Sequence, residues 1–379
     1  MSLFIEANKN WNHFLNQKIK DYQKFRNYDY GQNKEQAVSK LSHFISHRFL
    51  LEFDLINAIN KKNNGLAVDK FLQEVYWRIY WKGWLENYPC VWNKFVNSEQ
   101  KKYDENKYQK AIEAKSEITF FNDWVNELKE TNYLHNHTRM WFASTWIFNL
   151  GLPWELGARL FFKYLYDGDA ASNVLSWRWV GGLHTKGKKY LFSQANLRKF
   201  SNNRILVDKI NYKDINLNDN FEIVKSIKNK TFKVKKFDNL LLFENDLNIN
   251  TLANTINSYK FAYLVILDNQ DRKIKISNKV LNFKKRLAKE FSKEFPKLKV
   301  IDSRLLAATL KNISSLDMIY PSVGENNDFI NKFKSSHDKI INTLIRAEDL
   351  YSWKFATKGF FAFKKNIPKM NDFFMRNNN

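Results

Sequence analysis

A cluster of charged and polar residues inside an aromatic segment constrains this chain more than any other feature. Between residues 135 and 179 it reads HNHTRMWFAS, then LPWELGARLFF, then LYDGDAASNVLSWRWVGG. A helix that only packs has no need of His135, Asn136, His137 and Arg139 within a turn and a half, because a buried polar group costs free energy unless it finds a partner. A surface loop has no need of Trp177 and Trp179, one residue apart, behind Asp167-Gly168-Asp169. The pattern asks for a site, not for packing alone.

The 379 residues suffice for two domains and a sizeable core. Hydrophobic residues make up 44 % and aromatic residues 16 %, which excludes a disordered chain. Only 5 prolines and 11 glycines interrupt it, which favours long helices over a turn-rich β-sandwich. The single cysteine, Cys90, excludes a disulfide framework and a four-cysteine metal site, and reads as a small buried hydrophobe in a reducing compartment. No run of about 18 consecutive apolar residues occurs, so no membrane-spanning helix is expected. The opening MSLFIEANKNWNHF carries Glu6 and no continuous apolar core of a secretory signal, so a cytoplasmic location is expected. The formal charge of +23 suits a polyanionic partner such as DNA or RNA. An AT-rich genome would produce the same Lys-, Asn-, Ile- and Phe-rich composition without one, and composition alone leaves both explanations open.

Two textures divide the chain. Residues 1–205 repeat apolar positions at helical spacing, as in Phe71, Val75 and Ile79, or Phe121, Trp124, Val125 and Leu128. Gly151 and Pro153 end one helix and start another. Residues 206–236 are polar, Lys- and Asn-rich and weakly periodic, and read as a linker with at most one short element. From 237 to 379, short apolar runs alternate with helical patterns. Strands are expected at 240–243, 262–267, 299–303 and 316–320, and helices at 280–291, 304–311 and 327–348, with a frayed tail after 365. This alternation predicts a smaller α/β domain with a parallel sheet. No glycine-rich phosphate loop follows any of its strands, so nothing marks it as a nucleotide site.

Taken one by one, the motifs have plain explanations. Ser39-Lys40-Leu41-Ser42 is an N-cap. Glu74, Trp77, Arg78 and Trp81 fall on or next to one helical face, which an amphipathic helix with an Arg–Glu pair would also give. His135 and His137 point to different faces of one turn and lack a third ligand, so no metal is expected. Asp167-Gly168-Asp169 alone would be a turn or a calcium-type loop. The aromatic surroundings argue against that loop. A buried tryptophan is usually core.

Together, the motifs resemble the FAD-binding domain of the photolyase and cryptochrome superfamily over about residues 11–205. Tyr22, four residues before Arg26, and Val38-Ser39-Lys40-Leu41-Ser42 are similar to the family's Tyr/Arg pair and Thr-Ser-x-Leu-Ser loop. The loop is expected to hold the FAD diphosphate, and Val38 stands where the family has a hydroxyl. Residues 71–89, FLQEVYWRIYWKGWLENYP, are similar to the family helix that carries a glutamate and a tryptophan for a flipped pyrimidine dimer. The resemblance assigns substrate or DNA contact to Arg26, Glu74, Trp77, Arg78, Trp81, Asn136, His137 and Met140. His-Asn at 135–136 leans toward the cyclobutane lesion, and His137 replaces a common arginine. Flavin contact is implied for Tyr22, Arg139, Asp167, Gly168, Asp169 and Asn173, the last facing flavin N5. Trp177 and Trp154 match two members of the tryptophan relay that photoreduces the flavin. The third does not align, and Trp92 and Trp124 are both open as substitutes.

The resemblance implies an all-helical FAD-binding domain followed by the α/β domain. The stretch LLLFENDLNINTLANTI is similar to the opening of the family's own α/β domain, which implies a circularly permuted or separately appended copy. The implied function is light-dependent repair of UV-damaged DNA by a monomer with no membrane partner. Electron transfer from excited reduced FAD to a flipped cyclobutane pyrimidine dimer would make it a carbon–carbon lyase. A cryptochrome-like blue-light photoreceptor and a flavin-free nucleic-acid-binding protein on the same scaffold are the alternatives. ATKGFFAFKKNIP, 356–368, mixes Lys with Phe and reads equally as a DNA contact or a packed helix end.

Overall fold

A computed structural model describes residues 2–32, 34–62, 68–98, 102–226 and 234–376. The N-terminal half is helical. Its central element is the helix Asp69–Asn87, which buries Phe71, Val75, Tyr76, Ile79, Tyr80, Trp84 and Leu85 around most of its circumference. It is wrapped on several sides because no polar stripe keeps one face in water. The helix Ala170–Val180 packs against it. So do three C-terminal helices, Ala347–Trp353, Phe360–Lys364 and Ile367–Arg376, directly or through the neighbouring Glu52–Lys62 helix. Gly83 permits the closest approach: a Cβ there would lie 2.9 Å from both the Ala356 Cβ and the Trp353 ring.

The second half is a five-stranded parallel sheet: β1 (Asn239–Phe243), β2 (Phe261–Ile266), β3 (Leu298–Asp302), β4 (Ser315–Ile319) and β5 (Ile340–Leu344), in the order β3-β2-β1-β4-β5. Alternation along the strands gives each face its own core. Leu240, Leu242, Ala262 and Leu264 share one cluster with the helices Ile249–Asn257 and Asn278–Ser292, and with the helical half. Leu241, Phe243, Tyr263 and Val265 meet Leu306, Ile330 and Phe333 on the other face. The expected fold class, a helical half followed by a three-layered parallel sheet, is the one observed.

Three expectations need correction. The helix expected at 327–348 is a helix, Glu325–Ser336, followed by β5. β5 is a polar edge strand whose Asn342 pairs with Asp317 across the ladder. The tail is not frayed over its described part: Ile367–Arg376 is helical, with Met370 and Phe374 buried and Phe374 against Phe53. Cys90 is half-buried, its thiol 3.5 Å from the Val224 carbonyl. The described linker residues 206–226 and 234–236 contain no helix or strand, and 227–233 lie outside the described residues. The linker is nonetheless tied down: Asp219 accepts two hydrogen bonds from Arg178, at 2.7 and 2.6 Å. Among the described residues, no helix is long and apolar enough to cross a membrane.

The crossover from β3 to β4 reverses the strand order between β1 and β4, where doubly wound sheets usually hold a ligand. Here that position is filled. Arg272 is buried there and bonds Glu244, Glu325 at 2.9 Å and the Leu267 carbonyl at 3.1 Å. Lys284 reaches Glu244 at 3.1 Å and His47 of the helical half at 3.1 Å. Alongside, Arg48 grips Asp349 through two bonds of 2.6 Å and lies 3.6 Å from Asp246, which also binds Arg346. About 90 Å³ remains among these groups, room for a few waters.

Burial opposes the charge on Glu244, but Arg272 and Lys284 outweigh it and hold its pKa at about 2. Its stabilising contribution is therefore complete above the unfolded value of 4.5 and is lost as pH falls toward 2. Glu244→Ala, which strands two buried cations, is expected to lose about 3–5 kcal/mol in urea unfolding at neutral pH. Its stability should also fall less steeply than the parent's between pH 4.5 and 2. Equal slopes would show that Glu244 is not the titrating link.

Candidate functional site

A cavity of about 690 Å³ lies wholly within the helical half. That volume is in the range of a cofactor or substrate pocket. Its walls come from segments far apart in sequence. The Val38–Ser42 turn supplies one rim, with Lys40 at φ 53° and Ser39 Oγ accepting from the Leu41 N–H at 3.4 Å. The helix Asp69–Asn87 contributes Glu74, Trp77, Arg78 and Trp81, which its 3.6-residue turn brings to one side. The helix Asn136–Ser144 contributes Asn136, His137, Arg139 and Met140. Asp167, Gly168, Asn173 and Trp177 close the floor, and Tyr22 and Arg26 line the wall near Glu74.

Of the residues given a flavin, substrate or aligned relay role from the sequence, all but Asp169 and Trp154 line this cavity; His135 and the candidate relay residues Trp92 and Trp124 lie outside it. Asp169 turns the other way. It caps the helix Ala170–Val180 by accepting from the Ser172 N–H at 2.8 Å, and it pairs with Arg78 at 2.6 Å. It borders the small polar space at the sheet instead. Trp154 stacks on Phe95 at 5.5 Å with the Arg178 guanidinium 5.9 Å over its ring.

Each polar group has a physical setting. Arg139 bonds Asp167 at 3.0 Å and the Leu134 carbonyl at 2.9 Å. Burial pushes the Asp167 carboxyl up, but Arg139, the Ser42 hydroxyl and Arg78 overcome it, so the net shift is downward and the group stays ionised. Glu74 is the opposite case. Burial raises its pKa and is only partly offset by Arg26 and Lys70, so its carboxyl protonates more readily than an exposed one. His137 is held at both ring nitrogens, by the Asn27 carbonyl at 2.9 Å and the Tyr190 hydroxyl at 3.0 Å. Burial lowers His43 and His135 to about 4, which keeps both neutral. The Asn173 amide donates to the Ala158 carbonyl at 2.9 Å, which fixes its orientation.

Trp177 depends on a glycine. A Cβ on Gly157 would come within 2.2 Å of its ring, so only glycine leaves the indole this place. Its ring neighbours are Phe142, Phe161 and Trp146, the last at 6.3 Å and edge-on. Trp146 stands on a π-helical turn, Thr145–Asn149, and was not singled out in the sequence. Trp92 touches Phe95, the partner of Trp154, at 5.8 Å, while Trp124 stacks on Trp141 at 5.9 Å. The sequence reading assigned no role to Trp179, Tyr133, Tyr190, Ser172 or Asn196, all in the cavity lining. Trp179 alone carried a signal, its place two residues after Trp177.

Whether FAD suits this cavity is tested by the groups that lack a partner. Among the described residues, Arg26 Nε, Ser172 Oγ and Trp177 Nε1 are buried, belong to cavity-lining residues and find no hydrogen-bond partner in the protein. Buried donors are rarely left so in a finished structure. Phe161, Leu165, Ala143 and Val180 offer apolar area for a flat ring system, with Asp167 and Asn173 at hand for its polar edge. Ser39, Lys40 and Ser42 offer donors for a diphosphate. The donor set and the apolar walls fit the cofactor.

Residues 71–204 match the family model described as the FAD binding domain of DNA photolyase. A deoxyribodipyrimidine photo-lyase of Thermus thermophilus is 28 % identical over 134 residues, covering 34 % of this chain and 32 % of that protein. One from Neurospora crassa is 27 % identical over 198 residues, covering 49 % and 31 %. The chain thus spans about a third of the length of these curated relatives. The crystal structure of a bacterial class III photolyase from Agrobacterium tumefaciens superposes with a TM-score of 0.45 at 21 % identity, covering 52 % of this chain and 42 % of that one. Over residues 71–204, the helical half of this chain is similar to the FAD-binding domain of DNA photolyase.

Proposed function

We infer that this protein is a light-driven DNA repair flavoprotein acting on cyclobutane pyrimidine dimers, a deoxyribodipyrimidine photo-lyase. One observation carries the inference. A single cavity gathers the groups suited to a flavin, Arg139, Asp167, Asn173 and Trp177, and those suited to two linked pyrimidines flipped out of one strand, Glu74, Trp77, Asn136 and Met140. The curated relatives bear the photo-lyase name, which supports the same reading.

Held by Arg139, Asp167 and Asn173, reduced FAD would supply a light-excited electron for opening the cyclobutane ring and take it back, with no net oxidation. The chain's own residues do the rest. Asp167, kept ionised by Arg139, accepts hydrogen bonds from ring N–H groups, and Asn173 presents an oriented amide. Glu74, whose carboxyl burial shifts toward the neutral form, hydrogen-bonds a pyrimidine edge from the cavity wall. The Trp77 and Trp81 indoles give an apolar slab on which an extruded base can stack. Arg26 and Lys40 favour phosphates, and the net charge of +23 adds a salt-dependent attraction. His137, tied at both nitrogens, orients its neighbours instead of reaching for substrate.

A second reading has one observation in its favour. Phe360 lies flat on Trp77, with ring centroids 3.7 Å apart and planes at 9°, so one face of that indole is already occupied. A blue-light photoreceptor of the cryptochrome kind has no need of the free face.

The FAD-loaded, reduced protein is expected to restore dimer-bearing oligonucleotides under blue light and not in the dark. Light-dependent partner binding with no loss of dimers would give the case to the photoreceptor. Arg139→Ala, which leaves Asp167 a buried carboxylate without its cation, is expected to weaken flavin retention about 10- to 100-fold, read by titrating the flavin's blue absorption band. Glu74→Gln should keep its flavin and lose about tenfold or more in repair rate. Loss of flavin in Glu74→Gln would move that residue from the substrate to the cofactor.

A further inference from the structure

Two adjacent phenylalanines in the helix Phe360–Lys364 have opposite surroundings. Phe360 is buried against Trp77, with Tyr80 at 5.5 Å. Phe361 is 78 % exposed, more than any other large apolar side chain in the described structure. Successive helix residues point about 100° apart, so anchoring one ring turns the other outward. The anchoring is firm. Phe363 sits 5.5 Å from Tyr80, the Tyr80 hydroxyl donates to the Lys358 carbonyl at 2.9 Å, and the Tyr88 hydroxyl donates to the Thr357 carbonyl at 2.7 Å.

A single exposed phenylalanine is ordinary. Its setting is not. From Lys354 to Asn371 the sequence holds five lysines and no carboxylate. Lys358, Lys364 and Lys365 are exposed around Phe361. The Tyr80 hydroxyl also meets His184 Nε2 at 3.0 Å, which brings up the exposed loop bearing Lys186 and Lys188. An apolar ring on a rigid base, surrounded by ammonium groups, therefore stands one ring away from an indole that lines the large cavity.

We propose that Phe361 is a wedge that enters the base stack of duplex DNA beside the lesion, while Lys358, Lys364 and Lys365 hold the flanking phosphates. The proposal rests on the repair reading and adds the duplex as the partner of a surface outside the cavity. Extruding a lesion from a duplex costs a few kcal/mol, and an apolar side chain inserted between base steps offsets part of that cost. A duplex matches this surface better than a membrane does. The lysines answer a phosphate backbone on either side, and the lone ring fits a gap between bases, whereas an interfacial membrane helix presents a row of apolar residues.

The test uses the full flavin-loaded chain with the dimer placed in a single strand, where nothing need be extruded from a duplex, and in a duplex with 2-aminopurine opposite the lesion. Phe361→Ala is expected to repair the single strand as the parent does, to lose about tenfold on the duplex, and to lose the 2-aminopurine fluorescence rise. Phe361→Leu should recover part of both. Unchanged duplex repair in Phe361→Ala, or equal loss on both substrates, overturns the wedge and leaves the repair reading standing. Failure of the parent on both substrates overturns the repair reading. The wedge is then decided by salt-dependent binding to the lesion-bearing duplex, and equal binding by parent and Phe361→Ala overturns it. Phe361-dependent binding to phosphatidylserine vesicles in preference to that duplex also overturns it.

Discussion

The structure depends on a belt of buried ion pairs where the sheet meets the helices. Glu52 is bonded by Lys82 at 2.7 Å and lies within 3.7 Å of Arg48 and 3.4 Å of Arg78. Burial opposes its charge, but Lys82, Arg48 and Arg78 hold its pKa at about 2. Glu86 accepts from the Tyr320 hydroxyl at 2.9 Å and the Val323 N–H at 2.7 Å, which ties the central helix to the loop after β4. An apolar interface of the same shape would be as stable or more so. Charged pairs accept few alternative registers, so the belt fixes how the two halves sit.

The belt reaches the cavity through one residue. Arg78 lines the large cavity and lies among Glu52 and Asp169 on the other side. Asp169 in turn caps the helix that carries Asn173 and Trp177. The same contacts that hold the sheet in place therefore set the angle of the cavity floor. This accounts for a sheet whose ligand position is occupied by Arg272: the second half acts on the site as a brace.

Much of this was legible in the sequence. Strands β1 and β2 are near-continuous apolar runs, the mark of a strand covered on both faces. β5 was hidden because an edge strand needs no such run, and INTL carries Asn342 to meet Asp317. The cavity residues were legible for a related reason, since charges among tryptophans have few structural uses. What could not be read was direction. Asp167 and Asp169 are equivalent in sequence, yet one faces Arg139 and the other Arg78, and only the packed helices decide which. Trp146 was missed because its contact with Trp177 depends on a π-turn, which shifts a helix face by one residue without changing the spacing of its apolar positions.

The close approach at Gly83 has a consequence for how the protein is made. The helix Asp69–Asn87 is synthesised before the groups that pack on it at Gly83: Trp353 and Ala356 are translated some 270 residues later. Until they emerge, the Trp77 face that Phe360 covers and the side of Tyr80 that meets Phe360 and Phe363 lack their cover. The nascent helical half is therefore a sticky intermediate. Closure waits for residues 353–363, and a ribosome that stalls within the sheet would release a half in which the face of this helix around Gly83 and Trp77 is uncovered.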